Sequence, residues 1–381
     1  MTMRPRDPHE AHRASTPLEL LFDLVSVIAI AAAAAGLHHA LAEAHFGEGL
    51  LKFAGAFFAI WWAWMNYTWF ASAYDNDDVP FRLLTLLIMV GALTMAAGVK
   101  PFFERTDLHL IVIGFVIMRL AMVMLWLRAA HHDPARRKTA IRYATGIAMV
   151  QVYWVALVLF QPSAETLFYS LFALGALLEL AVPALAEKQG ITPWHRHHII
   201  ERYGLLNIIV LGETLLAGSM ALGQVSGTHV DPALIRVALA SLVIVFSMWW
   251  LYFSRDEHLA ENNLSAALTW GYGHALIYMA GAAVGAGFSV LVDVVSHAAP
   301  ISLRTGLFAV AIPVALYLLG LWFVRDRFAL KGAKHFILPI FAGLILLAPL
   351  VFNLEAVAVL MALSVWVRSR IAGGLSPATR P

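Results

Sequence analysis

Long uninterrupted apolar runs constrain the fold of this chain more than any other feature of its sequence. A helix needs about 20 mainly apolar residues to cross the hydrocarbon of a bilayer. The sequence therefore predicts an all-α integral membrane protein of about twelve transmembrane helices. The runs lie at 17–41, 50–73, 81–102, 108–130, 138–160, 165–186, 203–223, 234–254, 267–291, 302–323, 336–352 and 354–369. The last two are short and meet at Asn353, so a re-entrant pair is the alternative there.

Composition agrees with a chain surrounded by lipid. Apolar residues make up 61% of the chain and charged residues only 13%, about half the charged fraction of a soluble domain. The absence of cysteine excludes disulfides, iron–sulfur clusters and thiolate zinc sites. A formal charge of +2 gives no indication of nucleic-acid binding. Glu19 and Asp23 interrupt the first apolar run, which favours an uncleaved first span over a signal peptide.

Basic residues predict the orientation, because Lys and Arg favour cytoplasmic loops. Most of the 26 Lys and Arg residues are cytoplasmic if the N-terminus is inside. Two basic loops, one with Arg136 and Arg137 and one with Arg325 and Arg327, agree with this choice. We therefore expect a multi-pass protein of the bacterial cytoplasmic membrane with both termini in the cytoplasm and membrane lipids as its surroundings.

An internal repeat is indicated by matched positions in the two halves. Glu19 and Glu201 open corresponding spans, and Trp69 and Trp250 each precede an acidic residue by six positions. This spacing predicts two parallel six-span repeats, an arrangement found in transporters. The predicted segments are a cytoplasmic tail (1–16), a first repeat (17–186), a cytoplasmic linker (187–202), a second repeat (203–370) and a cytoplasmic tail (371–381).

Four segments resemble the low temperature requirement A (LtrA) family of bacterial membrane proteins. They are PLELLFDLV (17–25), WFASAYDNDDVPFRLLTLLIMV (69–90), ERYGLLNIIVLGETLLA (201–217) and WGYGHALIYMAG (270–281). Leu21 and Ser26 stand where the family usually has aromatic residues. The resemblance implies a link to growth in the cold, and it brings no agreed substrate or catalytic residues.

Polar residues at membrane depth are the candidate site, because such groups are costly in lipid and usually face a bundle interior. Counting along the predicted spans leads us to expect a cavity in the cytoplasmic half that takes up protons or a cation and is lined by all of the six residues below except Arg119. We expect Arg119 to pair with Glu213, the acid nearest its depth. The alternative is that this pair only fixes helix register. Glu19 and Glu201 are interpreted as helix caps. The six residues are Asp23, Asn66, Arg119, Glu179, Glu213 and His274.

Two acidic loops suggest a second site. Paired carboxylates can hold Mg²⁺ against a diphosphate, with Arg on the phosphate oxygens. The residues are Asp75, Asp77, Asp78 and Arg82 in one loop and Asp256 and Glu257 in the other. The alternative is helix termination with salt bridges. His195, His197 and His198 are interpreted as part of a solvated loop.

Three functions remain open from the sequence. Proton- or cation-coupled secondary transport of a small solute or lipid-like molecule is the leading hypothesis, and it needs no cofactor. An intramembrane enzyme would use Mg²⁺ at the acidic loops. A structural or helper protein would use the buried charges only for packing.

Overall fold

The computed structural model describes residues 3–11, 13–223, 231–254, 259 and 264–372, and every regular element in those ranges is helical. Its helices are α1 (Pro17–Ala42), α2 (Phe46–Tyr74), α3 (Val79–Arg105), α4 (His109–His132), α5 (Arg137–Leu159), α6 (Glu165–Glu187), α7 (Arg196–Gly223), α8 (Pro232–Phe253), α9 (Leu264–Val295), α10 (Leu303–Leu321), α11 (Arg327–Ala329), α12 (Ile337–Leu347) and α13 (Leu354–Ala372).

Nine helices within the described ranges are long and apolar enough to cross a membrane. Their outward faces fit that environment. On α3, for example, Leu83 and Val90 are 61% and 52% exposed, and the seven-residue spacing puts them on one side of the helix. Such a stripe is unfavourable in water and suited to lipid. The all-helical membrane fold is therefore confirmed, whereas the total of twelve spans and the internal repeat stay predictions.

The chain forms two compact units. Unit 1 comprises Met1–Gly36, Leu51–Leu205 and Leu259–Leu268, and unit 2 comprises Leu37–Leu50, Leu206–His258 and Thr269–Pro381. Unit 1 therefore contains the first turns of α7 as well as α3 to α6. Unit 2 contains the rest of α7 and α10 to α13.

Close helix packing in unit 1 depends on small residues. A Cβ added to Gly91 of α3 would lie 2.6 Å from the carbonyl oxygen of Gly114 in α4. The two backbones approach each other as closely as is typical of small-residue interfaces between membrane helices.

Unit 2 uses the same device with an added hydrogen bond. The Thr214 hydroxyl of α7 donates to the Gly281 carbonyl of α9 at 3.0 Å, and a Cβ on Gly285 would lie 3.3 Å from the Thr214 backbone. Gly281 and Gly285 are four residues apart, so both face α7.

The basic loop predicted after residue 323 begins later than expected. A π-helical turn, Trp322–Asp326, continues α10. Arg325 and Asp326 are buried there, 3% and 1% exposed. The prediction of Arg325 as a cytoplasmic loop residue is therefore wrong, because its guanidinium and the Asp326 carboxylate form a buried ion pair of 3.0 Å.

Candidate functional site

Asp23 lies in a fully buried ion pair in unit 1. Its Oδ1 accepts hydrogen bonds from Arg202 Nη2 at 2.6 Å and from Trp64 Nε1 at 2.7 Å. Asp23 and Arg202 are both 0% exposed. Asp23 Oδ2 and Arg202 Nε and Nη1 have no hydrogen-bond partner among the described residues. The pair therefore holds one unused acceptor and two unused donor atoms in a place shielded from solvent.

A second contact between acidic and basic side chains of α1 and α7 lies one turn away. Glu19 Oε2 accepts from the Thr16 backbone N–H at 2.8 Å, which is the capping role predicted for Glu19. Its Oε1 lies 3.0 Å from His198 Nε2. Glu19 and Asp23 are four residues apart on α1, as are His198 and Arg202 on α7, so each pair shares a face. The two contacts are in register, and the first turns of α1 and α7 run in the same direction.

The N-terminal segment covers this end of unit 1. Arg13 is 6% exposed and donates to the carbonyl groups of Ala71 and Ser72 in the last turn of α2. Those carbonyls belong to the last four of the helix, which have no partner within it. Residues predicted as a cytoplasmic tail are thus part of the packed structure.

Two of the three histidines predicted in a solvated loop are buried at the same place, whereas the third, His197, is exposed. His195 and His198 are 2% and 0% exposed. His195 Nδ1 accepts from the His198 backbone N–H at 3.3 Å, so its Nε2 carries the proton and donates to the Glu10 carbonyl at 2.8 Å. The loop prediction is wrong because α7 begins at Arg196, earlier than its apolar run. Glu201 is therefore in the second turn and is not the helix cap predicted for it.

Arg119 pairs with Glu179, and the predicted Arg119–Glu213 pair is wrong. Arg119 Nη2 donates to Glu179 Oε2 at 3.0 Å, and both side chains are buried. Trp62 Nε1 donates to the same oxygen at 2.8 Å and Trp154 Nε1 to Oε1 at 3.2 Å. Glu179 is thus held by three donors from three other helices.

Asp23 and Glu179 are not in one pocket. Their tryptophan donors, Trp64 and Trp62, are two residues apart on α2, and two residues turn a helix by about 200°. The two acids therefore lie on opposite sides of α2. Asn66 donates to the Trp62 carbonyl of its own helix at 2.8 Å and joins neither acid.

Glu213 and His274 belong to unit 2. Glu213 is partly exposed and has no hydrogen bond or ion pair within the described part of that unit. His274 is fully buried, and its Nδ1 lies 2.8 Å from the Trp270 carbonyl one turn earlier. The described structure thus divides the six predicted residues into separate environments.

The first acidic loop holds its carboxylates apart. Asp77 pairs with Arg82, and Asp78 pairs with Arg128 and caps α3 through the Phe81 N–H. These contacts hold the pKa of both Asp77 and Asp78 below the ordinary value. In the described ranges no group of three or more His, Cys, Asp or Glu could hold a metal ion.

The remaining acid of that loop, Asp75, is buried. Burial, together with the Glu19 carboxylate, raises the pKa of Asp75 to about 6. Asp256 and Glu257 of the second loop lie outside the described residues.

Sequence reasoning missed Arg202 and Arg368. Arg202 was placed in a linker. Arg368, at the end of the last predicted span, donates from Nε and Nη2 to Asp326 at 2.8 Å each. The four-residue spacing of His198 and Arg202, which matches that of Glu19 and Asp23, was a signal in the sequence for the first of these.

Comparison with known proteins covers nearly the whole chain. The model of the family described as bacterial low temperature requirement A protein (LtrA) matches residues 14–369. A protein of Rhizobium meliloti (strain 1021), described as uncharacterized, is 27% identical over 380 residues, which cover 93% of this chain and 88% of the relative. No solved structure matches.

Proposed function

We propose that this chain, which belongs to the bacterial low temperature requirement A family of membrane proteins, is a secondary transporter. It couples movement of a small solute or lipid-like molecule to protons or cations. The match to the family model confirms the resemblance seen in the sequence. The proposal of transport rests on the buried residues of the candidate site.

The observation that carries the proposal is the Asp23–Arg202 pair. Buried polar atoms are almost always satisfied in folded proteins, and ionisable groups at membrane depth mark substrate or ion pathways more often than packing. Asp23 and Arg202 keep three polar atoms unused. A solute that donates to Asp23 Oδ2 and accepts from Arg202 satisfies them when the site opens.

The Glu19–His198 pair gives protons a route to this site. It lies between Asp23 and the N-terminal segment, and a histidine beside a carboxylate can act as a proton shuttle. A proton on His198 offsets the negative charge of Glu19. The attraction of Glu19 for Arg13 and Arg202 then becomes weaker, so protonation and opening are linked. Glu213, which has no hydrogen bond or ion pair within the described part of unit 2, is a second proton-binding candidate.

The direction of α1 and α7 supports the proposed architecture. Two in-register contacts, Glu19 with His198 and Asp23 with Arg202, require both helices to begin on the same side, as two parallel six-span repeats would. We therefore retain twelve spans with both termini in the cytoplasm as part of the proposal.

Transport is tested in proteoliposomes that contain a trapped pH-sensitive dye. Small anions, zwitterions and cations are added one at a time, and solute-dependent proton flux is recorded. We expect flux with wild-type protein and its loss in Asp23→Asn. The matched control is Asp293→Asn, which removes a partly buried carboxylate 2.6 Å from His38 and should leave flux unchanged. Flux that is equal in wild type and Asp23→Asn refutes the role of this site.

The other two functions make different predictions. A structural or helper role predicts no solute-dependent flux and full tolerance of Asp23→Asn in cells. A Mg²⁺-phosphate enzyme requires the loop acids to share a cation, and Asp77 and Asp78 instead bind different arginines. No described contact favours that alternative.

A further inference from the structure

An apolar crevice opens between four helices of unit 1. Its volume is about 30 Å³, and a water-sized sphere needs roughly 10–15 Å³ on the same measure. The crevice therefore has room for a short stretch of a hydrocarbon chain and not for a whole one. The residues that line it are Phe58 and Ala59 of α2, Leu108 just before α4, Ile111, Val112 and Phe115 of α4, Trp154, Leu157 and Val158 of α5, and Phe172 of α6.

A polar layer lies one helical turn beyond the crevice. Arg119 follows Phe115 by four residues, and Gln151 precedes Trp154 by three. Since α4 and α5 are neighbours that run in opposite directions, both steps lead the same way. The contact of Arg119 with Glu179 lies in this layer.

Two side chains of the layer have unused hydrogen-bonding atoms. Arg119 is 2% exposed and Gln151 is 8% exposed. Arg119 Nε and Nη1, and both Gln151 Nε2 and Oε1, have no partner among the described residues. A buried polar group without a partner costs about 1–3 kcal/mol, so two such side chains beside a crevice indicate a place for a polar group from outside the chain.

The charge balance defines that group. Arg119 is already neutralised by Glu179 at 3.0 Å, so a charged headgroup would leave a net charge in hydrocarbon, which is costly. A hydroxyl or carbonyl group adds no charge, and a hydroxyl can both accept from Arg119 or Gln151 and donate to Gln151 Oε1.

We propose that unit 1 binds a linear lipid-like molecule with a small uncharged headgroup at this place. A short stretch of its chain occupies the crevice, and its hydroxyl or carbonyl group bonds to Gln151 and Arg119. Phe115 separates the two parts, since its ring lines the crevice and lies 4.4 Å from the Arg119 guanidinium carbon. Rotation of this ring admits the headgroup. The site shares no residue with the Asp23–Arg202 pair, so it does not depend on the proposed transport.

The test uses a photoreactive hexadecanol that carries a diazirine in its chain, with purified full-length protein in lipid nanodiscs. Peptide mapping after illumination locates the label. We expect it on the segments that contain Phe115, Trp154 and Phe172. Unlabelled hexadecanol should compete at least about tenfold better than palmitate or hexadecylamine, as a difference of one hydrogen bond or one buried charge implies.

Two variants separate this site from general lipid contact. Val112→Phe fills the crevice and should abolish labelling there. Ile113→Phe is its control, because Ile113 is the next residue and is 49% exposed on the outer face. Gln151→Leu should keep labelling but remove the preference for the alcohol. Equal labelling of Val112→Phe and wild type, or equal competition by all three headgroups against wild type, overturns the proposal.

Discussion

Glu179 and Glu213 offer a direct test of the buried charge arrangement, because only one of them binds Arg119. Glu179→Gln preserves the shape of the side chain and removes its charge. Arg119, 2% exposed, would then be a buried cation with no counter-charge. Breaking a buried pair in this way costs about 3–5 kcal/mol, so we expect a loss of that size in the free energy of unfolding.

Glu213→Gln is the matched control. Glu213 is partly exposed and makes no ion pair within the described part of unit 2, so its replacement should change stability by less than about 1 kcal/mol. The free energy of unfolding is measured by titration with sodium dodecyl sulfate in mixed micelles, followed by tryptophan fluorescence.

A double-mutant cycle completes the test. Arg119→Met combined with Glu179→Gln should show a coupling energy of about 0.5–3 kcal/mol, whereas Arg119→Met combined with Glu213→Gln should be additive within about 0.5 kcal/mol. The reverse result, with coupling to Glu213 and none to Glu179, refutes the assignment of the pair.

Three further predictions concern stability. Burial raises the pKa of Asp75 to about 6, so the stability that this side chain contributes is fully present below its unfolded pKa near 4 and is lost as pH rises through 6. Asp75→Asn should therefore become more stable than wild type by up to about 3 kcal/mol between about pH 4 and pH 7. Asp77→Asn, which removes an exposed carboxylate of lowered pKa, should give the opposite trend in the same thermal unfolding series. Arg13→Gln loses two hydrogen bonds to the last turn of α2 and should cost about 1.5–3 kcal/mol, with faster proteolysis of the N-terminal segment; unchanged proteolysis would contradict the packing of that segment. Gly91→Ala places a Cβ 2.6 Å from a backbone oxygen of α4 and should lower the free energy of unfolding by about 1–3 kcal/mol. Gly343→Ala, with no heavy atom within 4 Å, should leave it unchanged or raise it by up to about 1 kcal/mol. Equal effects of the two variants in the same unfolding assay would refute the close approach of α3 and α4.

The helices and the membrane environment were predictable because both follow from local composition. Apolar runs of sufficient length with few charged residues leave few other folds. Helix ends were less predictable. The apolar run of α7 begins near Tyr203, but the helix begins at Arg196. Its first turns are polar and are stabilised by contacts with α1, which hydropathy along the chain does not show.

The partners of buried charges were not predictable from depth alone. Depth counted along the chain put Arg119 level with Glu213, yet it cannot tell which helices are neighbours. Arg119 instead contacts Glu179 of α6. Asp23 is buried, and its partner Arg202 was missed because a basic residue before an apolar run resembles a loop residue.

Helix α2 bears a consequence for any motion of this protein. Trp62 and Trp64 donate to Glu179 and Asp23 on opposite sides of it. If α2 rotates about its own axis while α1 and α6 stay in place, both indoles move away from their carboxylates and both hydrogen bonds break. Any motion that keeps these bonds therefore moves α1, α2 and α6 together.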